Sequence, residues 1–222
     1  VLADMRDFKV WLMMKQLEDP FADYAKLVWT FTDGFYGPGG KQVRQYLTDL
    51  EKEAVACRTR SDWNSTPQSL TYLNRSFINQ AHQLFDQAEK AVGSDATLLR
   101  RLRHARLPLD RATLAVHPRL TADWLGLGKP AGQAPPDRNA TAQRALDTWL
   151  AQAKLRLPES AQETERQHAE AEMRRYAIVT PSVALPERFR ASPQGSVYDY
   201  IATMTRNWAD VVKVVKDPEA ET

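Results

Sequence analysis

The sequence predicts an all-α protein, an irregular bundle of seven or eight helices with an extended proline-rich segment before the last. Three observations predict it. Apolar residues recur at spacings of three and four in almost every segment, the period of a helix with one buried face. No β-branched, alternating apolar–polar stretch occurs, so no strand is expected. Glycine is scarce, 9 residues in 222, which leaves long runs free to stay helical.

The first predicted helix, residues 3–17, is apolar nearly all round, a pattern that implies burial against another body. Asp19-Pro20 ends it, and Pro20 is placed to open a second helix running to about residue 35. Residues 29–47, reading WTFTDGFYGPGGKQVRQYL, then interrupt that helix and start a third. Glycine is conformationally too free for a helix and proline lacks an N–H, so the run fixes a corner between two helices. Gly37, Gly39 and Gly40 are expected to supply backbone angles that other residues resist, at least one with positive φ. Of the aromatic pair at the corner, Phe35 is the expected plug of the junction and Tyr36 the more exposed ring.

The third helix, residues 40–60, puts Val43, Tyr46, Leu47, Leu50, Ala54 and Cys57 on one face. Residues 61–69, SDWNSTPQS, read as a loop. A fourth helix, residues 70–92, aligns Leu73, Phe77, Ala81, Leu84, Ala88 and Val92, with Gly93 at the cap position. Ser94 or Asp95 can cap a fifth, which buries Leu98, Leu102, Ala105, Leu109, Ala112 and Val116 and is kinked by Pro108. Residues 125–139 are a glycine- and proline-rich loop. A sixth helix, 140–157, turns Ala145, Leu146, Trp149 and Ala153 inward, and Ser160 with Glu163 matches a capping box for a seventh ending near residue 178. Residues 180–195 form the extended linker and 196–222 a final helix, so the helical domain proper is 1–179. No repeat of fixed period occurs.

A net charge of +2 gives no drive toward nucleic acid or anionic membrane. No apolar run approaches the roughly 18–20 residues of a membrane span. The absence of an initiator methionine and of a signal peptide reads as an excised piece of a longer protein. Cys57, the single cysteine, excludes an internal disulfide and a cysteine-based metal site and is expected as a buried structural thiol.

Chemistry is hard to find in this chain. Acid–base catalysis needs converging carboxylates, or a carboxylate with a histidine. Asp19, Asp23 and Asp33 crowd the first corner, yet aspartate is ordinary at helix ends. His82, His104, His117 and His168 are expected on separate helices without ligand spacing, so no metal and no cofactor is predicted. Gly126 and Gly128 follow no strand and make no phosphate loop. The basic run from Arg100 to Arg106 is interrupted by Leu99, Leu102 and Ala105 and lacks interleaved aromatics. It reads as a solvated helix face, with Arg106 pairing to Asp110 one turn on, not as a nucleic-acid surface. Trp63, in a polar loop, is the tryptophan expected to be exposed, and exposed aromatics can stack on sugars.

The segments Leu27-Val28-Trp29, Gly34-Phe35-Tyr36-Gly37-Pro38 and Val43-Arg44 with Tyr46-Leu47 together resemble a known corner. It is the helical region after the catalytic barrel in large bacterial glycoside-hydrolase-like proteins, catalogued as domain of unknown function 4838 (DUF4838), which are similar to α-glucuronidases and hexosaminidases. RHARLPLD at 103–110 and LPERF at 185–189 with Gln194-Gly195 extend the resemblance, in order, over nearly the whole chain. The resemblance implies an upstream (β/α)8 barrel that carries the carboxylates and a β-rich module downstream, both in the same parent chain. A barrel takes about 250 residues, so the catalytic residues lie outside this sequence. It also implies a secreted, periplasmic or cell-surface setting and a glycan as ligand of the parent. Tyr36, Phe35, Gly37, Trp29 and Trp63 are then the residues to look for at a sugar cleft or domain interface.

Three functional readings follow. The first is a non-catalytic accessory domain whose first two helices buttress the barrel. The second is a stand-alone helical module for protein interaction. The third is an enzyme in its own right, using carboxylates such as Asp33. An exposed apolar face on the first two helices separates the first reading from a closed, self-contained bundle.

Overall fold

The computed structural model of the chain describes residues 5–59 and 65–177. Among these residues the structure is helical without a strand: α1 (Arg6–Glu18), α2 (Tyr24–Tyr36), α3 (Gly40–Ala56), α4 (Arg75–Val92), α5 (Ala96–Gly126), α6 (Arg138–Arg156) and α7 (Glu159–Ala177). Short 3₁₀ turns, Gly37–Gly39 and Pro67–Ser69, precede α3 and α4. This is the irregular bundle the apolar spacing predicts. Trp63, the 180–195 linker and the final helix lie outside the described residues.

Local chemistry sets the helix starts. Asp23 accepts a hydrogen bond from the Lys26 N–H at 3.1 Å, so α2 begins at Tyr24, and Pro20 sits in the preceding turn instead of opening the helix. Asn74 accepts from the Phe77 N–H at 2.9 Å, which delays α4 to Arg75 and leaves Leu73 buried ahead of it. Asp95 and Asp137 cap α5 and α6 in the same way, satisfying N–H groups that have no partner within the helix. Gly93 ends α4 with φ of +62°, the cap its position predicts. α7 starts at Glu159, and Glu163 binds Arg166 and Gln167 instead of closing a capping box with Ser160.

Consecutive helices pack on one another along the chain, and α2 also reaches α5. Two hydrophobic clusters result. The larger joins α1 to α5 around Phe31, Tyr36, Tyr46, Phe77, Phe85 and Leu102. The smaller holds Leu107 and Leu114 of α5 against Ala145 and Trp149 of α6 and Ala169 and Met173 of α7. α5, 31 residues and about 46 Å long, belongs to both and continues through Pro108 and Pro118. α3 ends at Ala56, short of its expected end, and Cys57 at its cap is half-buried, not enclosed in the core.

Candidate functional site

The corner between α2 and α3 is built by close approach. Gly37 has φ of +54°, the left-handed conformation expected of one glycine here. A Cβ on Gly40 would stand 2.5 Å from the Thr32 carbonyl oxygen, and one on Gly39 would stand 3.1 Å from Leu102 Cδ1 and 3.2 Å from the Ala88 carbonyl. Gly39 and Gly40 are therefore required for space, not for angle. This packing closes over Tyr36, which is only 2% exposed, while Phe35 is half-buried. The expected order of the pair is reversed: Tyr36 is the plug. Phe31 organises the junction, with ring centroids at 4.8 Å from Phe35, 5.9 Å from Tyr36 and 5.4 Å from both Phe8 and Trp11 of α1.

Trp29 faces outward at 58% exposure, with the Arg44 guanidinium 3.9 Å from its ring centroid. Arg44 also binds Asp33 and donates to the Thr32 hydroxyl at 2.6 Å. The three carboxylates of the first corner do not converge. Asp19 receives the Phe21 N–H, Asp23 caps the start of α2, and Asp33 lies ten residues further, about 15 Å along the helix. Among the described residues no group of three or more His, Cys, Asp or Glu is arranged to hold a metal ion, and no helix is long and apolar enough to cross a membrane.

The apolar residues of α1 divide between two sides of the helix. Phe8, Trp11 and Leu12, at helical spacing, pack onto the chain's own core. On the opposite side Val10, Met13, Met14 and Leu17, spaced i, i+3, i+4 and i+7, are all about half-exposed or more. Phe21, in the turn after α1, is 96% exposed. The helix is two-sided, and among the described residues only one side is covered.

A second feature went unread in the sequence. Arg106 and Asp110, expected on a solvated face, are 3% and 1% exposed. Arg106 Nη2 donates to His82 Nδ1 at 3.0 Å, and its Nη1 reaches Asp86 at 2.6 Å and Glu89 at 3.1 Å. Arg144 of α6 grips Asp110 with its Nε at 3.1 Å and its Nη2 at 2.7 Å. With Nδ1 accepting, His82 carries its proton on Nε2 and donates to the Thr113 hydroxyl at 2.8 Å, which donates to the Leu109 carbonyl at 2.8 Å. Burial, then Arg106 and Arg144, hold His82 well below the ordinary histidine range. Burial pushes Asp110 up against the pull of both arginines. His104 and His117 share α5, not separate helices, and burial lowers both, with Arg156 and Arg138 adding to it. The network ties α4, α5 and α6 together, with Arg106 and Asp110 enclosed and Asp86, Glu89 and Arg144 reaching toward its edge.

No family model, curated protein or solved structure matches this chain.

Proposed function

We propose that this chain is a non-catalytic helical accessory domain of a larger glycoside-hydrolase-like protein, and that the outer side of α1 docks on a neighbouring domain of the same parent. The observation that carries the reading is the Val10, Met13, Met14 and Leu17 stripe, continued by Phe21. A contiguous apolar helix face in water costs free energy in proportion to its area, roughly 25 cal/mol per Å². Exposed patches of this kind mark surfaces that another body covers. The carbohydrate part of the reading, the upstream barrel, the downstream β-rich module and the extracellular or surface setting rest on the resemblance at residues 27–47, 103–110 and 185–195. Asp33 is held by Arg44 and does not converge with Asp19 or Asp23, so it gives the enzymatic reading no support.

The test is a pair of charge insertions, Met13→Lys with Leu17→Lys, made in this chain and in its longer parent. No described residue covers either side chain, so the Tm of the isolated chain is expected to hold within a degree or two. In the parent the same change is expected to free the helical domain, seen as faster amide exchange in α1 and easier proteolytic release. A parent that ignores both substitutions overturns the docking. The second reading, a stand-alone interaction module, uses the same stripe, whose spacing suits a partner helix. It predicts that the stripe stays solvent-exposed in the full-length protein until a separate partner binds.

A further inference from the structure

A pocket of about 240 Å³ opens where the start of α1 meets α5 and the last turns of α6. Its wall carries three arginines, Arg100, Arg101 and Arg156, against one carboxylate, Asp7. Asp7 is engaged by His104, whose Nδ1 lies 3.1 Å from its Oδ2, and by Arg156 at 3.5 Å. His104 is kept neutral by burial and by Arg156. The wall is thus positive by two charges in a chain whose total is +2.

Two of the wall's polar groups are not consumed by the fold. Arg100 makes no hydrogen bond or ion pair among the described residues. Gln152, only 7% exposed, lines the pocket and likewise has no hydrogen-bond partner among them. Its amide is reached from the pocket and stays available to a ligand. Arg101 spends one N–H on the Phe35 carbonyl at 3.0 Å and keeps further donors free. Arg101 at 4.4 Å and Phe31 at 4.8 Å already stack on the Phe35 ring, which serves as an apolar wall.

We propose that this pocket binds a small organic anion through a carboxylate or phosphate group. Guanidinium donors from Arg100, with Arg101 and Arg156 flanking, match the paired oxygens of such a group, and the Gln152 amide supplies a neutral donor at the floor. The volume equals about eight waters at about 30 Å³ each, so a molecule of six or so heavy atoms fits beyond the oxyanion itself. Phe35 and Leu155 give its carbon skeleton an apolar side. This site is separate from the outer stripe of α1 and does not depend on what covers that stripe.

The experiment titrates the chain with sodium acetate, sodium gluconate and sodium phosphate, each against sodium chloride at equal ionic strength. Affinity is read by calorimetry and location by the Gln152 side-chain amide in NMR spectra. A saturable shift of that amide is expected, with none from chloride. Response to acetate and gluconate without phosphate assigns a carboxylate ligand; response to phosphate alone assigns a phosphate ligand. Arg100→Ala removes an exposed, unengaged side chain and should leave the Tm in chloride unchanged while weakening binding about tenfold or more. Gln152→Met keeps the volume, removes the amide, and should weaken binding similarly. No saturable shift with any of the three anions, or binding that Arg100→Ala leaves intact, overturns the proposal.

Discussion

Arg106 donates to His82 Nδ1 at 3.0 Å, and that single bond fixes a neutral histidine inside a cluster of five charged groups. A proton added to Nδ1 would face Arg106 at 3.0 Å and Arg144 at 3.5 Å, both nearer than the one carboxylate on that side, Asp110, at 3.8 Å. The fold therefore binds fewer protons than the unfolded chain just below the ordinary histidine pKa of 6.5. His82 contributes its full share of stability above that value and loses it as the pH falls toward its lower, folded pKa. His104 and His117 act in the same direction.

We predict that the Tm falls as the pH is lowered from about 7 to 5 and that His82→Gln, which keeps an acceptor and cannot titrate, flattens this slope. Asp110, raised by burial, works in the opposite sense. The readout is therefore the difference between wild type and His82→Gln across the series, by thermal melts at constant ionic strength. Equal slopes would refute the assignment.

Asp110 is the shared anion for Arg144 and Arg106. Arg144→Ala should cost about 3–5 kcal/mol, because it leaves the Asp110 carboxylate, 1% exposed, without the bonds that hold it. Asp110→Ala should cost less, because Arg144 is 28% exposed and can turn toward water while Arg106 keeps Asp86 and Glu89. Urea unfolding of both variants checks the order.

At the α2–α3 corner, Tyr36→Ala should cost about 3–5 kcal/mol, the usual loss for a large buried aromatic. Phe35→Ala should cost less: it removes a half-buried ring and the Arg101 contact, worth about 0.5–2 kcal/mol. Chemical denaturation of the two variants side by side tests the ranking.

Two glycines six residues apart should respond with opposite signs. Gly34 lies within α2 with open space where a Cβ would go, so Gly34→Ala should stabilise by about 0.5–1 kcal/mol. Gly40→Ala places a methyl against the Thr32 carbonyl and should destabilise by about 1–3 kcal/mol. The same sign for both would contradict the close-packed corner.

The periodic parts of this protein were legible from its residues. Val43, Tyr46, Phe77, Ala81, Ala88, Leu102, Ala145 and Trp149 are buried as their spacing predicts. What failed were positions where a polar group sits on an apolar stripe. Leu102, Arg106, Leu109 and Thr113 share one face of α5, a signal that could have placed Arg106 inside. It was read by charge instead, because nothing local reveals that His82 and Arg144 arrive from other helices. Tyr36 was misjudged for a related reason: its burial comes from the 3₁₀ turn that seats Gly39 against Ala88, a long-range contact invisible in the pentapeptide. The Asp7–Arg156 pocket joins residues nearly 150 positions apart and left no local trace.

α5 is one helix with two allegiances. Leu102 and Leu109 belong to the larger hydrophobic cluster, and Leu107 and Leu114, on the other flank of the same turns, belong to the smaller. No cut through this helix yields two pieces that each keep a finished interior, and no cut on either side leaves α5 with both flanks covered. The described region is therefore indivisible in the sense that matters for recombination. It can be transplanted into another protein whole, but it cannot be shortened to a smaller working unit.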